Sequence, residues 1–105
     1  MSAGAFRQRL AIERPTSTAD GGGGRATDWS TVATVFAAVR TLRAGEREEL
    51  GRLDGVATHR VTVRAGVDLR GGDRLIAGGR TLRVLAVRDD DAGRHRVALA
   101  EEAGR

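Results

Sequence analysis

The sequence predicts an all-β domain of about six short strands, a small closed β-barrel or a sandwich, with one short α-helix and one long Gly-rich loop. Three observations lead there. In 58–64, valines at Val61 and Val63 alternate with Arg60, Thr62 and Arg64, the period-two pattern of a strand with one buried face. Runs of Gly and Asp punctuate the chain between such segments. Only 42–56 places residues at helical spacing, through Glu46, Leu50 and Leu53.

Taken in order, the first strand is 6–14, with Leu10 and Ile12 sharing a face with Phe6 and Pro15 ending it, because proline gives the ladder no N–H. Residues 16–28 read as a flexible connection around Asp20, Gly21, Gly22, Gly23, Gly24 and Arg25. Four successive glycines gain nothing from burial and have high chain entropy. A phosphate-cradling loop needs a following helix and a Lys, and the sequence offers neither. The second strand runs from about Val32 to Thr41, its β-branched residues outweighing a helical reading, with Phe36 and Ala38 on one face and Val35, Ala37 and Val39 on the other. Trp29, just before it, reads as a lid on the core, an interface anchor being the rival role.

The segment 42–56 is the helical excursion, supported by a Glu48–Arg52 pair at i,i+4 and weakened by Gly51. Thr58, Val61, Thr62 and Val63 suit the pleat of the central strand. A short strand at 73–77 meets 80–89 across Gly78-Gly79, a two-residue hairpin signal. In 80–89, Leu82, Val84 and Ala86 share one face, Leu85 and Val87 the other. A second hairpin at 89–93 leads into a last strand over 94–101 with Val97 and Leu99 inward.

Length and composition set the outer bounds. At 105 residues there is room for one domain, 1–105, and a modest core. Apolar runs are too short for a membrane span or for the core of a signal peptide, so cytoplasmic synthesis is expected. The absence of cysteine removes thiolate chemistry and disulfides. All 18 basic residues are Arg, spread from Arg7 to Arg105 among 14 acids, so the net charge of +4 describes a solvated surface better than a nucleic-acid stripe. A GC-rich coding sequence explains that bias together with the 15 glycines. Phe6, Trp29 and Phe36 are the only aromatic residues, too few for a core and a base-stacking platform together.

Catalytic and metal chemistry find little support. Asp89, Asp90 and Asp91 lack the alternate spacing and distal Glu of a calcium loop and read as a hairpin tip. His59 and His95 lie on separate strands without the spacing of a zinc site. His59 reads as a half-exposed strand residue, orientation of the Thr58 hydroxyl being the alternative. No nucleophile motif is present, so no enzyme, cofactor or metal is expected.

Strung together, several pieces resemble the bacteriophage head–tail joining (head closure, or stopper) proteins. They are Gly4-Ala5-Phe6-Arg7-Gln8-Arg9-Leu10-Ala11-Ile12-Glu13-Arg14-Pro15, then Trp29-Ser30-Thr31-Val32-Ala33-Thr34-Val35-Phe36, then Thr58-His59-Arg60-Val61-Thr62-Val63-Arg64, and finally Gly78-Gly79-Arg80-Thr81-Leu82-Arg83-Val84. The four-glycine run and the strong Arg bias depart from that pattern. The resemblance implies a small β-barrel with a helix and long excursions, and a non-enzymatic part of a tailed phage, prophage or gene transfer agent particle. It implies a homo-oligomeric ring, hexamer or dodecamer, between a portal-adaptor protein and a tail terminator or tail tube protein. Such a ring retains packaged double-stranded DNA, touches it without sequence preference if at all, and involves no membrane. Within this chain the expected contact residues are Arg14, Asp20, Gly21, Gly22, Gly23, Gly24, Arg25, Trp29, Arg43, Arg47, Glu48 and Arg52, on the two excursions 16–28 and 42–56. The alternative function is a free-standing small-barrel module that binds nucleic acid or a peptide.

Overall fold

The computed structural model describes residues 7–19, 25–43, 45, 57–90 and 92–103. Six antiparallel strands close on themselves: β1 (Gln8–Ala19), β2 (Arg25–Thr41), β3 (His59–Arg64), β4 (Arg74–Ala77), β5 (Arg80–Asp89) and β6 (His95–Glu102). Their order around the barrel is β1-β2-β3-β6-β5-β4, with β4 returning to β1. The molecule measures 49 × 28 × 26 Å.

Pairing forces the inner face, because residues opposite one another in a ladder share a side of the sheet. Leu10 and Ile12 of β1, Ala37 of β2, Val61 and Val63 of β3, Leu75 of β4, Leu82 and Val84 of β5, and Ala98 and Ala100 of β6 form one buried cluster. A six-stranded barrel is narrow, so alanines at 37, 77, 98 and 100 leave room for the leucines and valines opposite. Leu69, fully buried in the connection from β3 to β4, joins the same core. Two tight turns depend on glycine. Asp73 N–H closes on the Arg70 carbonyl at 3.1 Å with Gly72 at φ 94°, and Gly78 sits at φ 60° in the first central position of the β4–β5 hairpin.

Four expectations change. First, β1 does not stop at Pro15: it continues to Ala19, and Pro15 pairs with Trp29. β4 covers β1 only at Ala11, Ile12 and Glu13, so beyond Glu13 one side of β1 is an open edge, where a missing N–H costs no ladder bond. Second, most of 16–28 is therefore regular ladder, and Trp29 lies within β2 instead of ahead of it.

Third, in β6 the inward pair is Ala98 and Ala100. Val61 opposes Ala98 and His59 opposes Ala100, while Leu99 opposes Arg60 on the outer side. Leu99 is buried there under Leu42 and Ala57, with Leu85 against them. This satellite cluster hid the true inner face, since every residue from Val97 to Ala100 is buried. Fourth, a register shift between Val84 and Ala86 reverses the parity of β5, so that Val87, not Ala86, packs on the barrel core.

The helical expectation for 42–56 falls on residues 44 and 46–56, outside the described residues. Both flanks of that segment are anchored to the barrel: Leu42 N–H donates to the Thr58 carbonyl at 2.9 Å, and Thr58 N–H to the Ala100 carbonyl at 2.8 Å.

Candidate assembly surface

A closed barrel leaves no strand edge for another chain, apart from strands that outrun their neighbours. Here β1 and β2 do so together. Their ladder continues from Glu13↔Thr31 to Ala19↔Arg25, and β3 pairs with β2 only at Ala38, Val39, Arg40 and Thr41. Residues 14–19 and 25–31 thus form a two-stranded ribbon whose outer edges are open among the described residues, reaching about 20 Å beyond the barrel at the usual strand rise.

An isolated two-stranded ribbon is marginal in water, and this one is braced at its base from both faces. On one face lies Arg14. Its Nε donates to Asp73 Oδ1 at 2.9 Å and its Nη2 to Asp73 Oδ2 at 2.8 Å, a two-point fork. Its Nη1 reaches Asp68 Oδ2 at 3.0 Å. Asp73 is held from the other side by the Arg70 N–H at 2.9 Å. The carboxylates of Asp73 and then Asp68 raise the Arg14 pKa above that of an ordinary arginine, and Arg14 in turn holds Asp68 below the usual carboxylate range. Arg14 therefore welds the ribbon to the loop that closes the barrel end.

On the opposite face, Arg74 Nε lies 2.6 Å from Glu13 Oε1, and its guanidinium carbon stands 4.1 Å over the Trp29 ring. Trp29 is half-buried in this stack. It rivets the ribbon to the barrel, outside the core cluster. On the ribbon itself the Thr16 hydroxyl donates to the Asp28 carbonyl at 3.4 Å, and Thr27, Asp28 and Ser30 are exposed.

The expected contact residues divide accordingly. Arg14 and Trp29 lie on opposite faces of the ribbon base, each engaged with the barrel. Arg25 is the first residue of β2, paired with Ala19. Arg43 is exposed just after β2. Asp20, Gly21, Gly22, Gly23, Gly24, Arg47, Glu48 and Arg52 lie outside the described residues. Asp68, Asp73 and Arg74 were missed by sequence reasoning, since a partner 54 to 61 residues away leaves no local signal.

Three arginines lock register. Arg74 opposes Glu13, Arg83 opposes Glu101 and Arg96 opposes Asp89 directly across ladders, with ion-pair distances of 2.6, 2.7 and 3.3 Å. Arg96 Nη1 also donates to the carbonyls of Val67 and Leu69 at 2.9 and 3.0 Å, holding the loop across the barrel mouth. Among the described residues, Phe36 is the large apolar side chain exposed on the outer face, at 58%.

At the far end of the barrel His59 is buried, not half-exposed. Arg80 Nη2 donates to its Nε2 at 2.8 Å, because a guanidinium has no acceptor, so the ring proton sits on Nδ1 and is given to the Thr58 hydroxyl at 2.8 Å. Thr58 Oγ1 also accepts the Glu102 N–H at 3.0 Å. Burial first, and the Arg80 charge second, push the His59 pKa down. The Thr58 alternative is thus realised, as a structural tie between β3, β5 and β6. Among the described residues no group of three or more His, Asp or Glu is placed to hold a metal ion, and no helix is long and apolar enough to cross a membrane.

Comparison with known proteins complements this geometry. A family model described as phage head completion protein matches residues 1–103. A chain in the virion of a native gene transfer agent particle is 30% identical, with a TM-score of 0.65, covering 92% of this chain and 94% of that one. The solution structure of protein SF1141 from Shigella flexneri 2a superposes with a TM-score of 0.81 at 22% identity, covering 100% and 99% of the two chains, and establishes the shared fold. No curated protein matches in sequence.

Proposed function

The chain belongs to the phage head completion protein family, and from that premise we propose that it closes the head–tail joint of a tailed phage-like particle. In this reading it is a structural virion component. Copies form a ring between a portal-bound adaptor and the tail terminator or tail tube, retain packaged DNA and offer the tail a docking surface. The observation that carries the reading is the 30%-identical chain in a gene transfer agent virion, matched over nearly its whole length. The geometry supports it as well. A rigid barrel with a braced ribbon separates a folding unit from a projecting contact element, which suits a part that meets several neighbours at once.

Deletion of Gly21, Gly22, Gly23 and Gly24 in the producing strain tests this. The expected outcome is an isolated chain with an unchanged unfolding transition, alongside particles that lose DNA or lack tails. Full infectious or transducing titre from the deletion strain would overturn the reading.

A further inference from the structure

We propose that the ribbon is a strand-addition site for a second copy of this chain, the open edge of β2 receiving the open edge of β1 from its neighbour. Residues 25–37 of β2 are laddered on the β1 side only, because β3 engages just Ala38, Val39, Arg40 and Thr41. Residues 14–19 of β1 are likewise laddered only to β2, because β4 engages just Ala11, Ile12 and Glu13. No backbone bond from a turn or loop reaches either stretch among the described residues.

Free edges of this length are normally guarded by proline, charge or a bulge. β1 has Pro15, while residues 27–37 of β2 contain no proline, no glycine and the single charge of Asp28, and their one bulge lies at Val32, beyond the stretch that would face residues 16 and 17 of a neighbour. They are instead rich in Thr, Val and aromatic residues that favour a pleated ladder. Such an edge invites another strand.

Strand direction selects the occupant. β1 and β2 run antiparallel, and rotation about an axis parallel to the ribbon leaves each strand's direction unchanged. The edge of β2 in one copy then meets the edge of β1 in the next, again antiparallel, so repeated addition is head-to-tail and able to close. Rotation also preserves height along the axis, so Thr27 meets the neighbour's Ser17 and Asp28 the neighbour's Thr16, as within one ribbon. Pro15 assigns the donors. Its nitrogen belongs on the open side, which places the N–H of Thr27 and Trp29 on the open edge of β2 and those of Asp28 and Ser30 toward β1. This inference rests on the ring reading only for where the contact is used, since the edges exist in the isolated chain.

The absence of cysteine makes cross-linking clean. Chains carrying Ser17→Cys are mixed with chains carrying Thr27→Cys, and Thr16→Cys chains with Asp28→Cys chains, as concentrated purified protein and, by co-expression, in particles. After mild oxidation, disulfide-linked dimers are expected from at least one mixture and not from the single variants alone. Adding Thr27→Pro to the Asp28→Cys chain should cut the link yield about tenfold while leaving the unfolding midpoint in place. Ser30→Pro should instead destabilise the fold. No linked dimer in either mixture, or equal linking by single variants, overturns the proposal. Linked dimers from purified protein together with particles that lack the chain would sink the head–tail reading and leave the edge contact standing. An abundant but unlinked chain in particles would do the reverse.

Discussion

Replacing Arg14 by alanine should be among the most damaging single changes on the surface of this protein. The Asp73 side chain is 2% exposed and takes two of its three hydrogen bonds from the Arg14 guanidinium, the third from the Arg70 N–H. Removing one partner of a buried pair strands a carboxylate, at about 3–5 kcal/mol when both groups are fully buried. The Arg14 side chain keeps 21% of its exposure and Asp68 keeps 50%, so water can enter the vacated space. The Asp68 arm of the clamp therefore contributes little, and the expected loss falls to about 2–3 kcal/mol. For a domain of this size that lowers Tm by roughly 10–20 °C. Arg14→Lys keeps the charge but loses the fork, and should fall about halfway between. Urea unfolding with a double-mutant cycle between Arg14→Ala and Asp73→Ala checks the account, with a coupling above about 1.5 kcal/mol expected. Amide exchange in 16–19 and 25–30 should quicken more than in β3 or β6, because the brace acts on the ribbon first. A loss below about 0.5 kcal/mol for Arg14→Ala would refute the idea that this clamp fixes the ribbon.

Two further outcomes follow from the barrel itself. His59 should remain neutral in the folded protein at pH values where an unfolded histidine, near pKa 6.5, takes up a proton. Its pKa is lowered on folding, so its contribution is complete above about pH 6.5 and is lost as pH falls through that region toward the folded value. An imidazole NMR titration midpoint at or above 6.5 contradicts this, and Arg80→Met should move the midpoint upward. Leu69→Ala, at a position with 0% exposure in the loop that plugs the barrel, should cost about 2–5 kcal/mol by urea unfolding, and an unchanged midpoint would show that the plug does not pack.

Much of the architecture was legible because a strand with one buried face writes its period into neighbouring residues. Val61 and Val63, Leu10 and Ile12, and the Gly78-Gly79 hairpin could be placed from local chemistry alone. Pro15 misled because proline breaks a ladder only where a partner needs its N–H, and whether a partner is present depends on how far β4 extends. Val97 and Leu99 misled because the outer face of β6 is also covered, by Leu42, Ala57 and Leu85, which erases the alternation. His59 looked half-exposed because nothing adjacent in sequence announces Arg80 or the turn that brings it near.

What the sequence determined by itself is the all-β class, the position of most strands and the family resemblance, since these depend on near-neighbour spacing and residue type. The small barrel of about six strands was expected too and is what the chain forms, whereas only the tertiary structure decided that β1 and β2 outrun it as a ribbon. It also decided that Arg14, Trp29 and Arg74 spend their side chains on bracing that ribbon. Those facts are set by strand lengths relative to one another and by ion pairs across 54 to 61 residues of chain, distances over which no local pattern persists.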